Sequence, residues 1–105
     1  MTPSSDSKQC LQAVTGDGCG QRVTIVNGRG LHARAAAKFV KLAGQFDAEV
    51  TVDHDGTTVS GLSIMGLLML AAGRGAEIEI RAAGPEAADA VAALAGLVAA
   101  GFGED

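Results

Sequence analysis

Apolar positions recur along this chain with two periods, one of two residues and one of three to four. Val23-Thr24-Ile25-Val26 is β-branched throughout and predicts a strand. Asn27-Gly28-Arg29-Gly30 predicts a loop. Apolar residues then fall at Ala36, Phe39, Val40, Ala43 and Phe46, with Lys38, Lys41 and Gln45 off that line. This is the i, i+3, i+4, i+7 stripe of an amphipathic helix. Glu49 to Asp53 alternates as a half-buried strand does, His54-Asp55-Gly56 forms a turn with a strong Asp-Gly hairpin signal, and Thr57 to Ser60 returns. Ser63 stands at an N-cap before a short helix from Ile64 to about Ala72, which Gly73-Arg74-Gly75 stops. From Ala76 to Ala82, Ile78 and Ile80 face one way while Glu77, Glu79 and Arg81 face the other. Pro85 opens a last helix in its first turn, with Ala87, Val91, Leu94 and Val98 on the buried stripe and Gly101 at its end.

The predicted order is β-α-β-β-α-β-α. A central hairpin implies an antiparallel sheet, and helices with one apolar stripe imply that all three cover one face of it. The class is α+β. Residues 1–20 are rich in Ser, Gly, Asp and Thr without periodicity and are expected to be a disordered extension. Residues 21–105 form one domain. The start has no apolar core of a secretory signal. The longest apolar run, Ile64 to Ala72, falls short of the roughly 18–20 residues of a membrane span. A cytoplasmic protein without membrane insertion is expected. Cys10 and Cys19 lack the spacing of a zinc or redox pair, so no metal is expected; both read as free thiols in a loose tail, a disulfide being open to them only in an oxidising compartment, for which the sequence gives no signal.

Composition narrows the function classes. The chain has 105 residues, 48% of them hydrophobic, with twenty alanines and no Trp or Tyr. The core must therefore be built from small and aliphatic side chains, and a base-stacking platform is excluded. The net charge of −4 argues against nucleic acid as a partner. That figure conceals a division. Residues 21–46 carry Arg22, Arg29, Arg34, Lys38 and Lys41 and no acid, whereas residues 47–105 carry ten acids against Arg74 and Arg81.

The basic segment contains the candidate chemistry. Gly28-Arg29-Gly30-Leu31-His32-Ala33 matches G-x-G-x-x-A after a strand, with Asp53 roughly 20 residues on, which is a dinucleotide fingerprint in outline. The hairpin that follows replaces the parallel units such a fold requires. Locally, glycines allow close approach and a helix N-terminus favours an anion of phosphate type. His32 stands just before the helix, and imidazole is the side chain that serves as a neutral nucleophile at neutral pH. Arg34 offers a planar fork matched to phosphate oxygens. Phosphoryl transfer needs little beyond a positioned nucleophile and charge stabilisation. His54, in an acidic turn, reads as an ordinary loop residue.

Gly30-Leu31-His32-Ala33-Arg34-Ala35-Ala36 resembles the G-[LI]-H-A-R-P-A signature of the HPr phosphocarriers of the phosphoenolpyruvate-dependent phosphotransferase system. Ser63-Ile64-Met65-Gly66 resembles that family's serine-site signature, in register with the same element order. The resemblance covers about Arg22 to Gly103. It implies an open-faced β-sandwich, a four-stranded antiparallel sheet with three helices on one face. It also implies that His32 accepts a phosphoryl group on Nδ1 from Enzyme I and passes it to a IIA domain, with Arg34 stabilising the phosphohistidine. The carrier would be a stoichiometric monomer without cofactor, serving sugar uptake or regulation. Ser63 would be the target of an HPr kinase/phosphorylase, and Ala33, Ala37, Ile64, Met65 and Leu68 would form the docking patch. The family's usual Pro is Ala35 here, which relaxes the preorganisation of the first helical turn.

Without the resemblance, Ser63 is accounted for as a helix cap. The wholly apolar helix after it needs a covering partner in so small a fold. The competing reading is a βαββαβ regulatory domain that senses a small molecule and carries no covalent phosphate.

Overall fold

The structure, a computed structural model, describes residues 18–103. Its strands are Gly18–Thr24 (β1), Glu49–His54 (β2), Thr57–Ser60 (β3) and Glu77–Ala83 (β4). Its helices are Ala33–Ala43 (α1), Ile64–Met69 (α2) and Ala87–Ala99 (α3), followed by a short 3₁₀ turn at Gly101–Gly103. The four strands form one antiparallel sheet in the order β1-β4-β2-β3. This is the predicted open-faced α+β architecture.

Alternation on the central strand β4 assigns the two faces of the sheet. Ile78, Ile80 and Ala82 are buried, and Val52 and Val50 of β2 stand opposite Ile80 and Ala82. Helix α1 contributes Ala35, Ala36, Phe39 and Ala43 to this core, and α3 contributes Ala87, Val91, Leu94 and Val98. Many of these are alanines, so the layers can approach closely and the few large side chains, chiefly Phe39 and Phe102, fill what remains. The other face of the sheet is polar. There Arg81 pairs with Glu79 at 3.1 Å, and the hydrogen bond and charge of Glu79 hold the guanidinium above its ordinary pKa. The β2–β3 hairpin turns at Asp55 and Gly56, both with positive φ, as the Asp-Gly signal predicts.

Element ends differ from the sequence expectation where pairing or burial overrides local pattern. Strand β1 begins at Gly18 and stops at Thr24, because β4 continues to Ala83 and offers Gly18 a partner. Ile25 still bonds across, its N–H donating to the Ala76 carbonyl at 2.8 Å, but Val26 turns outward. Helix α1 ends at Ala43, so Phe46 packs on the core from the following turn. Helix α2 ends at Met69, earlier than the Gly73-Arg74-Gly75 stop, because Ala71 adopts a left-handed φ of 53° and Leu70 and Ala72 turn into the core. Pro85 lies in the turn before α3, whose N-cap is Glu86.

Cys19 corrects the free-thiol expectation. It is buried within β1 opposite Ala82 and is disulfide-bonded, so it belongs to the sheet and not to a loose tail. Cys10 lies outside the described residues, as does the expected disordered stretch up to residue 17.

Phe39 has no exposed surface. Phe39→Ala is expected to cost about 3–5 kcal/mol through lost burial and the cavity left behind. Urea denaturation of the two proteins measures this as a lower midpoint at unchanged slope.

Candidate functional site

The site is assembled where β1 passes into α1. His32 is the N-cap of α1, with extended backbone (φ −84°, ψ −177°). Its carbonyl already accepts the first helical bond, from the Ala36 N–H at 2.8 Å. Its ring turns back over the first turn, and Nδ1 accepts a hydrogen bond from the backbone N–H of Arg34 at 3.3 Å. An accepting Nδ1 bears a lone pair, so the neutral ring carries its proton on Nε2. The lone pair lies at the positive end of α1, among N–H groups that have no partner within the helix.

The loop before His32 is held on both sides. The Gly30 N–H donates to the Asn27 carbonyl at 3.2 Å, and the Asn27 side-chain amide donates to the Gly30 carbonyl at 2.9 Å. The next N–H, of Leu31, donates to the Ala72 carbonyl at 2.9 Å, while the Leu31 side chain is buried. Gly30 has a φ of +66°, and a β-carbon there would lie 2.6 Å from the Ala72 oxygen. Only glycine fits, because both the backbone angle and the approach of the neighbouring loop exclude a side chain.

That neighbouring loop is Gly73-Arg74-Gly75. Gly73 lies against Gly30, so Arg74, from the acidic part of the sequence, follows directly on the residue that packs on the turn carrying Arg29. Arg29, Arg34 and Arg74 are exposed, and the ion pair found among the described residues joins Arg81 to Glu79 instead. Among the described residues, no carboxylate forms an ion pair with Arg29, Arg34 or Arg74.

Ser63 is the N-cap of α2, its Oγ accepting from the Gly66 N–H at 3.0 Å. Helices α1 and α2 pack together. Ala33 and Ala37 of α1 are exposed, as are Ile64 and Met65 of α2, Met65 to 69%. Leu68 is half-buried and packs on the core, so it is the least available of the expected patch. Met69, 76% exposed, and Leu62 extend the apolar surface beyond the residues expected.

Sequence reasoning missed the supports of the site: Asn27, the Ala72 carbonyl, and Lys38, whose Nζ donates to the Phe102 carbonyl at 2.7 Å. Only Asn27 left a signal, as an Asn at the head of a glycine turn. The dinucleotide outline is excluded, since no strands of the described sheet are parallel.

The family model described as "PTS HPr component phosphorylation site" matches residues 20–100. The chain belongs to the PTS-HPr family. Among curated relatives, phosphocarrier protein HPr of Neisseria meningitidis is 48% identical over 84 residues, covering 80% of this chain and 94% of that protein. Phosphocarrier protein NPr of Klebsiella oxytoca is 45% identical over 86 residues, covering 81% and 96%. Among solved structures, the phosphocarrier protein HPr from Bacillus anthracis is similar with a TM-score of 0.75 at 42% identity, covering 77% of this chain and 96% of that one. The chain is therefore a member of a phosphocarrier family of the phosphotransferase system, with relatives of both the HPr and NPr names. Among the described residues no helix is long and apolar enough to cross a membrane.

The cap geometry yields a test on stability alone. Ser63→Ala removes the acceptor for the Gly66 N–H and is expected to cost about 0.5–2 kcal/mol. Ser63→Asp retains a capping oxygen and should stay close to the parent in thermal unfolding.

Proposed function

We propose that this chain is a stoichiometric phosphocarrier, accepting a phosphoryl group on Nδ1 of His32 from Enzyme I and passing it to a IIA domain. The observation that carries this reading is the hydrogen bond from the Arg34 N–H to Nδ1. It marks Nδ1 as the unprotonated ring nitrogen and aims it at the helix N-terminus. In the transfer, the Nδ1 lone pair forms the bond to phosphorus as the donor's bond to phosphorus breaks. The phosphoryl oxygens then replace Nδ1 as acceptor for the Arg34 amide and also meet the amides of Ala33 and Ala35 at the helix end. Arg34, exposed and adjacent, supplies a guanidinium to the same oxygens. Transfer onward reverses these steps, so the carrier must stabilise the phosphohistidine without trapping it. Solvent-exposed donors at a helix end meet that requirement better than a closed pocket.

Docking follows from the same end of the molecule. The apolar surface of Ala33, Ala37, Ile64 and Met65, with Leu68 beneath it, is bordered by Arg29, Arg34 and Arg74. It fits partner faces that are apolar at the centre and acidic at the rim, and rim charges act mainly on association rate. Ser63 stands at the edge of this surface. Phosphorylation of its Oγ by an HPr kinase/phosphorylase would add nearly two negative charges there and weaken an acidic partner's approach. The cap itself needs no phosphate, so this regulation is separable from folding.

Incubation with Enzyme I and phosphoenolpyruvate is expected to place one acid-labile phosphate on the chain, read by mass spectrometry. His32→Ala should take none, and label on that variant would refute the assignment. Arg34→Ala should fold normally by circular dichroism yet accept phosphate about 10- to 100-fold more slowly, the range of one or two charge-assisted hydrogen bonds.

A further inference from the structure

Asn27 is the buried polar side chain of the described residues, 3% exposed, and its position behind the His32 loop calls for a reason. The side chain donates to the Gly30 carbonyl while the main chain of the same residue receives the Gly30 N–H. Residue 27 therefore closes the Gly28-Arg29 turn from both ends. The consequence lies one residue on. The peptide linking Gly30 to Leu31 has its carbonyl held by Asn27 and its N–H held by the Ala72 carbonyl. A peptide plane gripped at both polar atoms cannot rotate, and only buried Leu31 and its peptide bond to His32 separate it from the ring.

Asn27 is itself held from behind. A β-carbon on Gly101 would lie 3.6 Å from the Asn27 β-carbon and 3.8 Å from Cγ2 of Val26, so the C-terminal 3₁₀ turn abuts the loop. Gly101, Phe102 and Gly103 all have positive φ, and the Phe102 ring is wholly buried. The Phe102 carbonyl accepts from Lys38 of α1. A circuit results. Helix α1 grips the C-terminal turn through Lys38, the turn backs Asn27, Asn27 holds Gly30, and Gly30 leads to His32 at the head of α1.

We infer that Asn27, backed by the Gly101–Gly103 turn, is a positioning residue that holds the His32 ring in its acceptor orientation. Asn27 touches neither the partner nor the phosphoryl group, so it acts on the step after docking. The inference rests on His32 being the phosphoryl acceptor.

The test compares the full-length parent with Asn27→Ala and Asn27→Asp, which both remove the donor to Gly30. The rate of phosphoryl acceptance from phosphorylated Enzyme I is measured against carrier concentration. The limiting rate is expected to fall about 10- to 100-fold, the scale of a small misplacement of reacting groups, while the carrier's KM stays within about twofold. Two-dimensional ¹H–¹⁵N spectra of the His32 ring should show the lone pair on Nδ1 in the parent and mixed tautomers in the variants. If either replacement fails to fold, Lys38→Met releases the turn from α1 and should lower the limiting rate in the same sense. Unchanged limiting rates, or a rise in KM alone, would overturn the positioning role. Absence of His32 phosphate on the parent would instead overturn the acceptor reading itself.

Discussion

The first N–H groups of an α-helix have no partner within the helix, and in this fold one of them is given to a ring nitrogen. The Arg34 amide and Nδ1 of His32 form the bond from which the remaining arrangement follows. It requires His32 to be an N-cap, which requires an extended residue at the head of α1. That in turn requires the chain to arrive from β1 through a turn tight enough to need Gly30 at positive φ. The core under α1 serves the same end. Ala35, Ala36 and Phe39 anchor the first two turns, so the helix end is not free to fray beneath the ring.

Charge is arranged by the fold as much as by the sequence. The sequence places five cations in residues 21–46, but the fold adds Arg74 by packing one Gly-Arg-Gly loop on the other. The carboxylates of β2 and β4 lie on the open side of the sheet, where Glu79 takes Arg81. Separation of this kind leaves the acceptor end cationic within an acidic chain. It favours rapid, salt-sensitive encounters over tight complexes, as a carrier with two successive partners needs.

The strands and helices were legible because their periods are clean. Ile78 and Ile80 against Glu77 and Glu79 define β4, and Val91, Leu94 and Val98 define the buried side of α3. His32, Arg34 and Ser63 were legible because glycine, histidine and cap residues have specific local uses. The supports of the site were not. The Ala72 carbonyl is a backbone atom that any residue would supply, and the bond from Lys38 to Phe102 spans most of the domain. The end of α2 was misplaced for a related reason: burial of Leu70 and Ala72 forces Ala71 into a conformation that its side chain does not favour. Cys19 was misread because its role depends on the pairing of β1 with β4, which extends the strand into a stretch lacking strand character of its own.

The central claim concerns one atom, Nδ1 of His32. Nitrogen–phosphorus coupling in ¹⁵N-histidine-labelled, phosphorylated protein tests it most directly. Phosphorus is expected to couple to Nδ1 of His32, with the amide protons of residues 33–35 moving downfield as they bond to phosphoryl oxygens. Phosphorus on Nε2, or on Nδ1 without change at those amides, would contradict it.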